Sequence, residues 1–134
     1  MKISSLDFGF IQMAFAGMMT LFSLGNASAQ EKNQMLRMAK LVIDPAQLEN
    51  YKLILKEEIE ASVSLEPGVL TLYAVSEKEN PNRITIFEIY ASTEAYKSHV
   101  QTPHFLKYKN ATKDMVKSLE LVEVDPLVPG MKIK

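Results

Sequence analysis

Tyr90-Ala-Ser-Thr-Glu-Ala-Tyr-Lys-Ser-His99-Val-Gln-Thr-Pro-His104-Phe105 is the stretch whose reading decides how this chain folds. It carries two helix starts in close succession. Ser92 can cap one helix, and Thr102-Pro103 restarts another, because a capping hydroxyl followed by a proline with fixed φ suits the first helical turn. The segment that feeds it, Arg83-Ile-Thr-Ile-Phe-Glu-Ile-Tyr-Ala91, is a strand by its β-branched and aromatic content. Alternation puts Ile84, Ile86, Glu88 and Tyr90 on one face and Thr85, Phe87 and Ile89 on the other. A strand therefore runs straight into a broken helical segment. Both histidines of the chain lie at that break.

Working outward, Met35 to Ile43 reads as a strand with both faces largely apolar, interrupted by Arg37 and Lys40. Asp44-Pro45-Ala-Gln47 starts a helix, with Asp44 as cap and Gln47 completing a capping box. Leu48, Tyr51, Leu55, Ile59 and Val63 recur at helical spacing, while Lys52, Lys56, Glu57 and Glu60 cover the opposite side. Glu66-Pro67-Gly68 ends this helix, and Gly68 suggests a turn with positive φ. Val69 to Ser76 is a second strand, and the polar loop Glu77–Asn82 joins it to the third. After the restart at Thr102, an apolar line of Phe105, Tyr108, Met115, Val116 and Leu119 predicts a helix. Leu119 to Val124 predicts a final strand, stopped by Pro126 and Pro129.

The resulting order, β-α-β-β-α-(α)-β, is the split β-α-β, ferredoxin-like α+β plan. It predicts a four-stranded antiparallel sheet with helices on one face. The other face still carries apolar side chains, and a second copy packed sheet to sheet covers it economically, so a homodimer is expected.

The N-terminus sets the frame around this domain. Lys2 precedes an apolar run from Phe8 to Leu24, and Ala27-Ser28-Ala29 offers small residues where a signal peptidase reads. Residues 1–29 are accordingly read as a signal peptide cleaved after Ala29, with 30–134 as the domain and 35–125 as its core. The domain is then expected in the periplasm or secreted, with no stable membrane span once the leader is removed. An uncleaved anchor is the alternative. Removal of 29 of the 134 residues leaves 105, enough for one small domain. Net charge is −1, which argues against a nucleic-acid partner. There is no cysteine, which removes disulfides, thiolate catalysis and cysteine-type zinc sites.

Chemistry near neutral pH gathers at the histidines. His99 and His104 each admit two readings: an imidazole bonded to backbone, or a base facing a pocket between helix and sheet. His104 sits in the first turn of a helix, where the dipole disfavours a cation and leaves a neutral imidazole able to accept a proton. Glu88, mid-strand among isoleucines, lies at a solvated edge or in a pocket, with Arg37 as its obvious ion-pair partner. Tyr73 and Tyr90 are core tyrosines or the walls of a site for a flat aromatic molecule. His99, His104, Glu88 and Glu94 match no metal-binding spacing, so no metal is expected.

Glu66-Pro-Gly68-Val-Leu-Thr-Leu-Tyr73, Phe87-Glu-Ile-Tyr90-Ala-Ser-Thr-Glu94-Ala and His99-Val-Gln-Thr-Pro-His104-Phe105 together resemble the antibiotic biosynthesis monooxygenase family. The pattern there is a PGxxxY turn and strand, an E-x-Y strand end, an acidic-Ala helix start and H-x-x-(S/T)-P-H-F, and the likeness covers essentially all of 35–125. The resemblance implies a dimeric α/β barrel. It implies a cofactor-independent monooxygenase acting on a quinol or polycyclic phenol with molecular oxygen, needing neither flavin nor metal. By that resemblance His99, His104 and Glu88 are candidate catalytic residues. Tyr73, Tyr90 and Phe105 are candidate substrate contacts, and Arg37, beside Glu88, joins them. Haem-degrading members on the same fold commonly use a pocket tryptophan, and this chain has none. Most members are cytoplasmic, and the leader departs from that. The alternative function is a small-ligand binding or isomerising module without oxygen chemistry, and a purely structural dimer is a third possibility.

Overall fold

The computed structural model describes residues 33–128 and Gly130, so the leader reading on 1–29 lies outside the described residues. Strand β1 spans Met35–Ile43, helix α1 Leu48–Leu65, β2 Val69–Ser76, β3 Arg83–Tyr90, α2 Thr93–His99, α3 Pro103–Thr112 and β4 Val116–Val124. A 3-10 turn at Pro45–Gln47 leads into α1. Asp44 caps this turn rather than α1 itself, accepting a bond from the Ala46 N–H at 3.0 Å. Ser92 and Thr102 cap α2 and α3 as their sequence predicts, by accepting from the N–H groups of Ala95 and Phe105.

The strands form one antiparallel sheet in the order β2-β3-β1-β4, the ferredoxin-like arrangement. β1 is central. Its register pairs Arg37 with Glu88, Ala39 with Ile86 and Leu41 with Ile84. These residues share the face that α1 and α3 cover, and Ala39, Leu41, Ile43, Ile84 and Ile86 there are all buried. Against them α1 lays Tyr51 and Leu55, and α3 lays Tyr108. The Tyr51 and Tyr108 hydroxyls bond each other at 2.7 Å inside this core, so neither polar tip is left unpaired. Among the described residues, no helix is long and apolar enough to cross a membrane.

Three local expectations change. The buried stripe of α1 runs through Tyr51, Leu55, Glu58 and Ser62, whereas Val63 is half exposed. α3 stops at Thr112 and β4 begins at Val116. Met115 and Val116 thus belong to a turn and a strand, and Leu119 lies inside β4. Gly68 does not have positive φ. A Cβ there would stand 2.7 Å from the Ala95 Cβ, so glycine is needed for the close approach of α2. The Gly68 carbonyl also accepts the Ala91 N–H at 2.8 Å, which fixes this turn to the end of β3.

The outer face of the sheet is an apolar row. Tyr73, Phe87, Met38 and Val122 follow one another across β2, β3, β1 and β4, with Ile89, Leu36 and Val124 alongside. Tyr73 is 68% exposed.

Candidate functional site

A cavity of about 570 Å³ lies between the sheet and the helices. Arg37, Ile86, Glu88 and Tyr90 line it from the sheet, Leu55, Glu58 and Ile59 from α1. His99, Phe105 and Tyr108 line it from α2 and α3. Its walls are largely apolar with a few polar groups, the composition of a small-molecule site. Lys109, Lys113, Lys117, Leu119 and Leu121 line it toward the edge strand β4.

His99 ends α2 with its side chain 3% exposed. Its position follows from the turn beneath it: Gly68 lets α2 settle on the 66–69 turn, and Glu66 is part of that turn. His99 Nδ1 lies 3.0 Å from Glu66 Oε2, and His104 Nε2 lies 2.6 Å from the same oxygen. Burial alone would raise the Glu66 carboxyl, but its hydrogen bonds to His104 and His99 outweigh this and hold it below the usual carboxylate value. Glu66 is therefore an ionised acceptor, and both imidazoles donate to it. That assigns the tautomer of His99 from its partner: Nδ1 carries hydrogen and Nε2 keeps its lone pair when the ring is neutral. Among the described residues Nε2 makes no hydrogen bond, and its nearest carboxylate oxygen is Glu58 Oε1 at 3.7 Å. Glu58 is itself held by a 2.6 Å bond from the Ser62 hydroxyl. Phe105 packs edge-on to His99, ring centres 4.9 Å apart, and Tyr90 lies on another side at 5.4 Å.

A second polar group spans the sheet. Arg37 Nε donates to Glu88 Oε2 at 3.2 Å, and both side chains are largely buried. The Arg37 guanidinium also lies 3.9 Å from the centre of the Tyr96 ring. Burial would lower the Arg37 pKa, but Tyr96 and Glu88 outweigh it and hold it above its ordinary value. For Glu88 the balance goes the other way: burial raises its carboxyl above the usual range despite Arg37 and Tyr90. Burial and then the Glu88 charge likewise raise the Tyr90 phenol, which stays protonated.

The structure therefore brings His99, Glu88, Tyr90, Phe105 and Arg37 to one cavity. It does not bring the other two candidates there. His104 stands behind Glu66, with its side chain 19% exposed, and does not line the cavity. Tyr73 points to the outer face and borders a separate groove of about 390 Å³ between α1 and β2. Sequence reasoning missed Glu58, Glu66 and Tyr96. Two signals were available. Glu58 and Ser62 interrupt the apolar stripe of α1 at helical spacing. Glu66 is an acid at a helix C-terminus, where the dipole disfavours it, so another partner must hold it there. Glu58, His99 and His104 each offer a ligand atom, all within 4.8 Å of one another. Glu88 and Glu94 are not part of that group.

The α+β sheet thus carries a largely apolar cavity with a carboxylate-bonded histidine in its wall. The model of the antibiotic biosynthesis monooxygenase family matches residues 35–111, and the chain belongs to that family. A solved protein from Bacteroides thetaiotaomicron, provisionally assigned as an antibiotic biosynthesis monooxygenase, is 60% identical. The match covers 78% of this chain and 99% of that one, with a TM-score of 0.76. A provisionally assigned monooxygenase from Lactobacillus acidophilus is 30% identical over 69% of this chain and 50% of its own, TM-score 0.66. A protein from Nitrosomonas europaea, at 19% identity over 70% of this chain and 99% of its own, shares the fold at TM-score 0.66. No curated protein matches the chain.

Proposed function

We propose that this protein is a cofactor-independent monooxygenase that oxidises a quinol or polycyclic phenol with molecular oxygen. The observation that carries the reading is the Glu66–His99 pair, which presents an imidazole lone pair to an apolar cavity. His99 Nε2 takes the proton of the bound phenol or of its activated C–H group. Glu66, accepting from Nδ1, holds the ring and stabilises the imidazolium that forms. The deprotonated ring is electron-rich, and its carbon gives two electrons to oxygen and forms a C–O bond, leaving a peroxide that takes back the proton held by His99. That carbon then loses its remaining hydrogen as a proton; the freed electron pair forms the carbonyl, the O–O bond breaks, and the outer oxygen leaves with both protons as water. Phe105 and Tyr90 flank the flat substrate, and the Arg37–Glu88 pair offers it polar contacts. The apolar walls keep water from the reactive anion.

The fold supports a homodimer as the working unit, because the Tyr73–Phe87–Met38–Val122 row needs a cover and a second copy provides one with the same pattern. The leader adds export to this reading.

Oxygen uptake by the purified chain with reduced naphthoquinols and an anthrone, corrected for autoxidation, tests the proposal. Uptake well above background that collapses in His99→Ala supports it. Saturable, ligand-induced stabilisation with no uptake supports the binding or isomerising alternative, which the same proton-accepting pair would serve.

A further inference from the structure

We propose that Glu58, His99 and His104 form a binding site for a divalent transition-metal ion of the zinc class, with Glu66 as the carboxylate that orients both imidazoles. The inference rests on geometry alone and not on the oxygenation reading.

Three observations carry it. One ligand atom from each of Glu58, His99 and His104 lies within 4.8 Å of the others. Bonds of about 2.0–2.1 Å to zinc bring such atoms to within about 3.5 Å of one another, so the side chains close by about an ångström when an ion enters. Glu66 accepts from one nitrogen of each histidine, which leaves the other nitrogen of each neutral ring as a lone pair. A carboxylate bonded to the far side of a metal-binding imidazole is the usual outer partner of such a site. Glu58 has its own support in the Ser62 hydroxyl.

Enclosure points the same way. Glu58 is 6% exposed and the Glu66 side chain 14% exposed, both beside His99. Two carboxyl groups thus face the imidazoles in a region with little solvent to satisfy them. The Arg37 guanidinium pairs with Glu88 instead. Two nitrogens and a carboxylate oxygen suit zinc or iron(II) better than calcium or magnesium.

The site and the base share one lone pair. His99 Nε2 takes a proton or the ion, not both at once. A zinc-loaded chain therefore loses the base.

The test is titration of the chelator-stripped chain with Zn2+ by calorimetry, and with Co2+ by visible absorption. The expected result is one ion per chain. Glu58→Gln and His104→Gln should each weaken zinc by about tenfold or more, and Glu66→Gln by about 10- to 100-fold. Glu94→Gln, on the exposed side of α2, should leave it unchanged. His99 and His104 are the only histidines of the chain, so imidazole nitrogen NMR of the unmutated protein reads the site without substitution. Zinc should move both ring signals. No binding to the folded chain, binding that the Glu58 and His104 variants do not weaken, or zinc that moves neither ring would overturn the site. Oxygen uptake that falls as zinc loads agrees with the shared lone pair. Uptake that appears only with the ion keeps the metal site and contradicts the cofactor-free reaction.

Discussion

At Glu66 a single carboxylate oxygen accepts from two imidazoles, and the proposed chemistry starts from that contact. Glu66→Gln keeps the shape but replaces an anion with a neutral amide, so His99 loses the charge that stabilises its imidazolium. Steady-state oxygen uptake should fall by about 10²-fold or more, within the range general-base catalysis supplies, while His99→Ala should fall at least as far. His104→Ala should cost less, because His104 does not line the cavity. The buried Tyr51–Tyr108 pair permits a separate stability test. Either single Phe substitution strands the partner hydroxyl and should cost about 1–3 kcal/mol by chemical denaturation, whereas the double substitution should cost less than the two singles summed. At this scale the sequence was partly legible. Two histidines beside aromatics at a helix break mark the neighbourhood of the site. Periodicity could not show which histidine faces the cavity, because that depends on the 66–69 turn lying between them. In the sequence Glu66 shows only as the residue that closes a helix.

The elements were more legible than the residues, because each carries its own start and stop signals. The caps at Ser92 and Thr102 and the alternation of β3 hold in the structure. Boundaries failed where an apolar line continued across a turn. Met115, Val116 and Leu119 extend the α3 periodicity by coincidence, while Thr112 bonds back to the Tyr108 carbonyl in the last turn of the helix. Gly68 failed for another reason: a glycine needed for close packing looks the same in sequence as one needed for positive φ. The distinction has a consequence. Gly68→Ala places a Cβ against Ala95, which sits on a helix rather than on a flexible side chain. It should push α2 away from the turn and lower stability by about 1–3 kcal/mol, read as a drop in Tm. Because α2 carries His99, uptake should fall too. Pairing the substitution with Ala95→Gly, which vacates the contact, should recover much of both.

For the whole molecule, the fold follows from element order, and the uncovered apolar face follows from the two-residue period of its strands. Neither the order nor the period identifies a substrate, since that depends on where side chains from all four strands and all three helices converge. A charged substitution at the centre of the outer row, Phe87→Arg, should convert a dimer to monomer in sedimentation without emptying the cavity on the other face. Mass spectrometry of exported protein should find Gln30 as its first residue. In the proposed function this cavity oxygenates an aromatic substrate through a carboxylate-held histidine. The most direct measurement is oxygen consumption by the chelator-treated, purified chain with a reduced naphthoquinol, run beside His99→Ala and Glu66→Gln. The expected result is uptake well above autoxidation that needs no added metal or flavin and is lost or sharply reduced in both variants. Uptake at the autoxidation rate by the folded chain, or uptake that both variants retain, would contradict it.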